Sequence, residues 1–488
     1  MAEGRYLIGI DVGTTAVKGG LFDQHGAVRA RHTIPYPTAR PEAQRAEQNP
    51  DDWTAAIDAI LAALLKDTPA ISVAAIGLCS QVNTHVFVDR NGSALLPAIV
   101  WQDGRCARIA AELDAQVSAK QKLAWWGAPS PIGASNVAAR MAWVARHQPA
   151  VWEQTAYVLS PKDYCLFALT GIVAADPISS FDIVDMNGKY IRELLALVPG
   201  AADRMPPLRE FDQVLGPLRV ASGPGPMVVN GTMDGWACLP GAGVSQAGEG
   251  AYVSGTSEIV TLASDRRVGA PGIVSFPRVN DWHVFAGPTQ SGGDSLRWFA
   301  QATGHSIDAV LDRAAQVDRA KSRMLFLPHL EGERAPLWDP HSRGAFVGMN
   351  AGTGFGELSA AVLEGVGFSA RLLFEAASNA AGRSYDFLFL GGGGARSDLW
   401  CQIRADIMGV ELRRNAVLDS GTLGAAVIAG VGVGLFPSLP TATREMLRIE
   451  RSFVPNLALA DNYNDLFSLY QETYQALSPV HHRLKAEG

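Results

Sequence analysis

The sequence predicts an α/β protein built as two related halves, and three observations point there. Short apolar runs alternate along the whole chain with segments of helical spacing, the pattern of strands joined by helices. An N-terminal string, in which an apolar run, Gly13-Thr14-Thr15 and a second apolar run follow one another, returns about half a chain later around Gly255-Thr256-Ser257. Such spacing suits a duplicated unit, although Gly-Thr-Ser is also a common turn string. Between the two copies, residues 199–226 concentrate Pro, Gly and polar residues, as the approach to a domain boundary does.

The elements follow in order. Residues 6–10 are apolar and end at Asp11, and residues 17–23 read as a second strand, so Asp-Val-Gly-Thr-Thr is the turn of a hairpin. Asn49 before Pro50, Asp51 and Asp52 is a helix start with cap, first-position proline and acidic first turn. Trp53, Ile57, Ile60, Leu61 and Leu64 then share one helical face. Residues 73–78 and 86–89 read as buried strands, the latter before an Asn91-Gly92 turn. Residues 227–229 form a strand that runs into Asn230-Gly231-Thr232-Met233-Asp234-Gly235. Residues 357–377 predict a helix, and residues 387–390 a strand that feeds the four glycines 391–394 and a helical stretch at 397–408.

Composition narrows the function. The 488 residues carry a net charge of −7 and no Lys/Arg run, which argues against a nucleic-acid partner. No run of 18 apolar residues is present, so no membrane span is expected. Met1-Ala2-Glu3-Gly4-Arg5 lacks the features of a secretory signal, and the five scattered cysteines suit reduced, buried thiols. Both favour a cytoplasmic protein. Glycine is 50 of 488, above the usual share, with no collagen-like period. Residues 223–293 hold 14 of these glycines and residues 391–434 hold 10, which suggests that the backbone approaches a ligand there.

Several residues could carry chemistry. The Gly-Thr-Thr turn exposes backbone N–H groups and two hydroxyls that suit phosphate oxygens, with Lys18 as a nearby point charge. Asp11 could hold Mg²⁺ through waters. An ordinary hairpin turn has the same sequence, so the pairing with the second Gly-Thr string matters. The four-glycine run admits a flat ring or a phosphate, or equally tight strand–helix packing. Asp234 follows a buried strand in a glycine-rich setting, where a carboxylate can accept a proton from an attacking hydroxyl; Asp-Gly is also a plain turn string. Trp101-Gln102-Asp103-Gly104-Arg105 offers a stacking ring and sugar-binding polar groups, or a surface loop with one anchored Trp. The strings GxxxxGK[ST], GxGxxG, HRD and DFG are absent, which argues against P-loop, dinucleotide-binding and protein-kinase folds.

In this order the motifs resemble the FGGY family of carbohydrate kinases, of the actin, hexokinase and heat-shock-chaperone superfamily, nearly end to end. Asp11-Val12-Gly13-Thr14-Thr15 with Lys18 resembles the first phosphate motif, and Ser254-Gly255-Thr256-Ser257 the second. Residues 99–105 are similar to the W-x-D-x-R segment, and Pro161-Lys162-Asp163-Tyr164 with Leu169-Thr170-Gly171 to P-K-D-Y…L-T-G. Residues 327–340 resemble the L-P-x-x-x-G-E-R-x-P-x-x-D-P block of the xylulose-kinase branch, and residues 391–400 the adenosine loop. The resemblance implies two ribonuclease-H-like domains flanking a catalytic cleft, with residues 1–240 binding sugar and 241–488 binding ATP. It implies Asp234 as general base. It places Val82, Asn83, Trp101, Asp103, Asp234 and Gly235 at the substrate. Thr14, Thr15, Lys18, Gly255, Thr256, Gly293, Arg297, Gly394 and Asp398 fall at ATP, and Asp11 at Mg²⁺. A homodimer is a further family expectation. D-xylulose is the implied substrate, with ribulose, glycerol or erythritol as alternatives and a non-catalytic nucleotide-binding module as a rival. Two positions depart from the xylulose-kinase pattern: Asn83 stands where the family has His, and Gly235 where it often has Asn or Gln. His85 should point away from the sugar, since strand neighbours alternate.

Overall fold

The computed structural model describes residues 6–66, 72–127, 129–220, 223–266, 270–276, 278 and 281–484. Residues 1–5, read above for a secretory signal, lie outside the described residues. The chain forms two compact units. The first comprises Met1–Gly241, Phe276–Val279 and Asp419–Leu447, and the second Ala242–Ser275, Asn280–Leu418 and Arg448–Gly488.

The first unit is built on a six-stranded sheet. Its strands are β1 (Tyr6–Val12), β2 (Ala16–Asp23), β3 (Val28–Pro35), β4 (Val73–Ser80), β5 (Val214–Val220) and β6 (Gly223–Met233), in the order β3-β2-β1-β4-β6-β5. β1 pairs antiparallel with β2 and parallel with β4, and β4 is parallel to β6. β1 is buried from Leu7 to Val12, whereas edge strand β3 is mostly exposed, as expected for central and edge positions. The Pro/Gly-rich stretch 199–226, expected to approach a domain boundary, precedes the passage to the second unit at Ala242 and is itself partly strand. From Val214 onward it forms β5 and the start of β6, and β5 is the edge strand, where proline's missing N–H costs little. α1 (Pro50–Leu64) starts as expected, with the Asn49 side chain accepting from the Asp51 N–H, and buries Trp53, Ile57, Ile60, Leu61 and Leu64. α2 (Val137–His147), α3 (Pro161–Thr170) and α4 (Asp234–Ala242) complete the part that matters below.

The second unit repeats the plan. β7 (Gly250–Ser254), β8 (Glu258–Ser264), β9 (Val274–Ser275), β10 (His283–Pro288), β11 (Phe387–Gly391), β12 (Glu411–Asn415) and β13 (Ile449–Phe453) are ordered β9-β10-β8-β7-β11-β12-β13. β7 is antiparallel to β8 and parallel to β11, and β11 is parallel to β12. β7 and β8 therefore occupy the places that β1 and β2 hold in the first sheet. The duplication inferred from two short strings is a duplication of strand order and direction. α5 (Gly293–Thr303), α6 (Phe355–Ala381) and α7 (Asp398–Met408) belong here, α6 extending the expected helix at both ends.

α8 (Ser420–Gly432) returns to the first unit and packs on β1 and β4. Glycines make this approach close. A Cβ on Gly9 would overlap the Thr422 carbonyl oxygen, one on Gly77 that of Ala425, and one on Gly424 that of Ala237. No helix among the described residues is long and apolar enough to cross a membrane. All five cysteines are free thiols, four of them buried.

Candidate active site

The ends of β1, β6 and the segment before α8 bring three carboxylates and one amine together in the first unit. Asp11 lies one residue from the end of β1, directly opposite Lys18 on β2. Lys18 Nζ is 3.9 Å from Asp11 Oδ2 and 3.9 Å from Asp419 Oδ2. Asp234 is the first residue of α4, where β6 ends, and its Oδ1 accepts the Gly235 N–H at 2.6 Å. Burial pushes the Asp11 carboxyl up to about 6, opposed by Lys18 and helped by Asp419. Burial pushes Asp234 further, to about 7, with Asp11 adding to it. For Lys18, burial acts downward, but Asp419 and Asp11 outweigh it and hold the amine charged. Cys238, amid the same carboxylates, is raised to about 12 and stays a thiol.

The first hairpin turn sits beside this cluster. Thr14 is half-buried and Thr15 exposed. The Thr14 hydroxyl accepts the Trp101 indole N–H at 3.1 Å, which leaves its own proton free to donate. Trp101 is half-exposed, as a ring that walls a binding site must be. Asp103 differs from its expected place at the substrate. Its carboxylate is enclosed, accepting from Arg105 Nε at 2.8 Å, Arg105 Nη2 at 2.6 Å and the Ala46 N–H at 2.7 Å. It shapes the loop from within. Val82 and Asn83 are partly exposed. Asn83 has φ +56°, in the left-handed region that Asn tolerates better than most side chains. Space is open at Gly235, where a Cβ would meet nothing within 4 Å.

Arg140 of α2 holds these loops. Its guanidinium is buried without a carboxylate partner among the described residues. It donates to the Asn83 carbonyl at 2.6 Å, the Val100 carbonyl at 2.7 Å and the Ile99 carbonyl. Burial lowers its pKa to about 10, so it remains charged. His85 lies 3.2 Å from it, turned inward as strand alternation requires, and burial and Arg140 keep the imidazole neutral. Arg140→Met leaves the Asn83 carbonyl unpaired and removes one of two donors from the Ile99 and Val100 carbonyls, which keep the His85 and Asp103 N–H groups. The expected loss is about 1–3 kcal/mol, read as a shift in urea midpoint at unchanged slope.

In the second unit, the Gly255-Thr256-Ser257 turn packs on the start of α5. The Gly293 N–H donates to the Gly255 carbonyl at 2.9 Å, and Arg297 Nη2 reaches Thr256 Oγ1 at 3.3 Å while pairing with Asp294. The four glycines divide by role. Gly392, at φ +86°, and Gly394 lie so close to Ser254 that a Cβ would overlap it, whereas Gly393 is exposed with nothing near. Asp398 is held by Arg414 at 2.6 Å and by Arg451. Arg404, wholly buried, donates to Ser254 at 2.6 Å, Glu258 at 3.1 Å and the Gly394 carbonyl at 3.2 Å. It thus ties the turn strands to the glycine run.

Among the described residues no group of three or more His, Cys, Asp or Glu has metal-holding geometry. Asp11 fits a divalent cation in a looser way. Its buried Oδ1 has no hydrogen-bond partner, and a cation would supply the missing counter-charge while phosphates and water filled the remaining shell.

Asp419, Arg140 and Arg404 join these loops from outside the motifs quoted above. Asp419 did carry a signal, because Asp419-Ser420-Gly421-Thr422 repeats the D-x-G-T of Asp11-Val12-Gly13-Thr14. The arginines carried none, since their partners are backbone carbonyls or residues far away in the chain.

The N-terminal domain of the FGGY family of carbohydrate kinases matches residues 6–234, and its C-terminal domain matches residues 250–433. The chain is 32% identical to the xylulose kinase of Klebsiella pneumoniae, covering 97% of this chain and 99% of that protein. Among solved structures, it is similar to gluconate kinase from Lactobacillus acidophilus, with TM-score 0.88 and 26% identity over 99% of this chain and 100% of the other. The same values describe its similarity to the ligand-bound xylulose kinase of Lactobacillus acidophilus.

Proposed function

The chain belongs to the FGGY family of carbohydrate kinases, and from that premise we propose that it transfers the γ-phosphoryl group of ATP to D-xylulose, giving D-xylulose 5-phosphate. The observation that carries this reading is Asp234, a carboxylate at a strand end whose proton affinity is raised to about 7 beside the Asp11–Lys18–Asp419 cluster. The near-full-length likeness to a xylulose kinase supports the choice of sugar.

The residues assign the steps. The sugar's primary hydroxyl oxygen attacks the γ-phosphorus and its proton passes to an Asp234 oxygen. The bond from phosphorus to the β,γ-bridging oxygen breaks, and its electrons leave with ADP. The Gly235 N–H holds one Asp234 oxygen in place. In the first unit the Thr14 turn offers N–H and hydroxyl donors of the kind that bind phosphate oxygens, with Lys18 adding a point charge; in the second unit, taken by itself, the Thr256 turn offers the same kind of donors. Asp11 would hold Mg²⁺, which when bound would supply charge to neutralise phosphate. Gly393 leaves room for the adenine ring, and Asp398, fixed by two arginines, borders the same segment.

Because Asp234 must be unprotonated to act, kcat/KM is expected to fall as pH drops below about 7, approaching tenfold per unit. A pH profile flat from 8 to 5 would remove Asp234 from the role. A second reading, a sugar acid such as gluconate, is favoured by the open space at Gly235. Initial rates with D-xylulose, D-ribulose, glycerol, erythritol and D-gluconate decide between them. D-xylulose is expected to give the highest kcat/KM, and a preference for gluconate would replace it.

A further inference from the structure

A closed ring of hydrogen bonds runs beneath the sugar-side and phosphate-side loops of the first unit. Gln48 Nε2 donates to the Thr14 carbonyl at 2.7 Å. Gln81 Nε2 donates to Gln48 Oε1 at 2.8 Å. The Thr84 hydroxyl donates to Gln81 Oε1 at 3.1 Å and accepts the Trp101 backbone N–H at 3.1 Å. The Trp101 indole N–H closes the ring on the Thr14 hydroxyl at 3.1 Å. Gln48, Gln81 and Thr84 are buried.

The ring has one direction only. The Trp101 N–H can only donate, so Thr84 accepts there and gives its proton to Gln81. Gln81 must then present its amide N–H to Gln48, whose own N–H faces the Thr14 carbonyl, which can only accept. Reversing either glutamine would set acceptor against acceptor in a buried site, at a cost comparable to a lost hydrogen bond. A ring with a single allowed arrangement transmits position from one loop to the other.

We propose that Gln48, Gln81 and Thr84 are positioning residues that couple sugar seated against Trp101 to the grip of the Thr14 turn on nucleotide phosphate. This rests on the reading of Trp101 and Thr14 given above. All three are buried and act through those two residues.

The test is the affinity of a non-hydrolysable ATP analogue, measured by calorimetry with and without saturating D-xylulose. In the wild type, sugar should tighten nucleotide by about 5- to 100-fold. Thr84→Val, isosteric but without the hydroxyl, and Gln48→Met should each bring that ratio close to 1, while Thr84→Ser keeps the wild-type value. The Thr84→Val/Gln48→Met double variant should lose no more than either single, because one broken link opens the whole ring. A wild-type ratio near 1, an unchanged ratio in Thr84→Val despite a lowered Tm, or losses that add in the double variant would overturn the proposal. Failure of the functional reading shows differently, as a wild type that transfers phosphate to no sugar. If another sugar in the panel is the substrate, the same ratio is measured with it.

Discussion

Asp234→Asn is expected to lower kcat by about 10²- to 10⁴-fold, the usual worth of a general base, with a much smaller change in sugar KM. Asn keeps the shape and can still accept the Gly235 N–H, so what is lost is the capacity to take a proton. Stability should move the other way. The folded Asp234 holds its proton to about 7, well above the usual carboxylate value near 4. Between those pH values the folded chain binds more protons than the unfolded one, so stability falls as pH rises through the window. Above it the penalty for an enclosed charge is fully present. Asp234→Asn should therefore show a Tm equal to or above wild type at pH 8, with the gain vanishing near pH 4. A variant both inactive and strongly destabilised at pH 8 would mark Asp234 as structural.

Gly424→Ala should cause the largest loss of stability of any single methyl addition discussed here. A Cβ at this position would overlap the Ala237 carbonyl oxygen and come within 3.1 Å of the Gly241 nitrogen, all backbone atoms that move only if α8 and α4 separate. Alanine is favoured over glycine in a helix by about 1 kcal/mol, but overpacking against backbone costs about 3 kcal/mol or more, so the clash wins. Gly235→Ala is the control. Its Cβ meets nothing within 4 Å, so equilibrium unfolding should show a change below about 1 kcal/mol. Similar losses in both variants would refute the packing argument.

Gly424 also corrects the reading of the glycine excess. Its concentration at residues 391–434 suggested backbone approaching a ligand. In the structure Gly392, Gly394 and Gly424 permit protein backbone or side chain to approach protein, and Gly393 alone of the 391–394 run is exposed with nothing near. The hairpins were legible because the Gly-Thr turns interrupt strongly apolar strands. Asp234 was legible only through its place in an ordered set of motifs, since Asp-Gly alone is a turn. Edge strand β5 and the start of β6 were not, because Pro217 and the prolines near residue 225 read as the approach to a domain boundary and only pairing in space makes them strands. The ring through Gln48, Gln81 and Thr84 was equally invisible, because its partners lie 3 to 87 residues apart. Asp103 shows the opposite failure. A motif residue suited to a sugar hydroxyl has its carboxylate committed to Arg105 and Ala46.

Phosphoryl transfer ends on the primary hydroxyl of a ketopentose. Phosphorus NMR of a reaction containing ATP, Mg²⁺, D-xylulose and the wild-type chain tests it most directly. ADP and a single phosphate ester, coupled to the two protons of a CH₂ carbon, are expected in equal amounts, and ADP formation should slow at least tenfold when sugar is omitted. ADP accumulating at the same rate without sugar, or an ester on a secondary carbon, would contradict it.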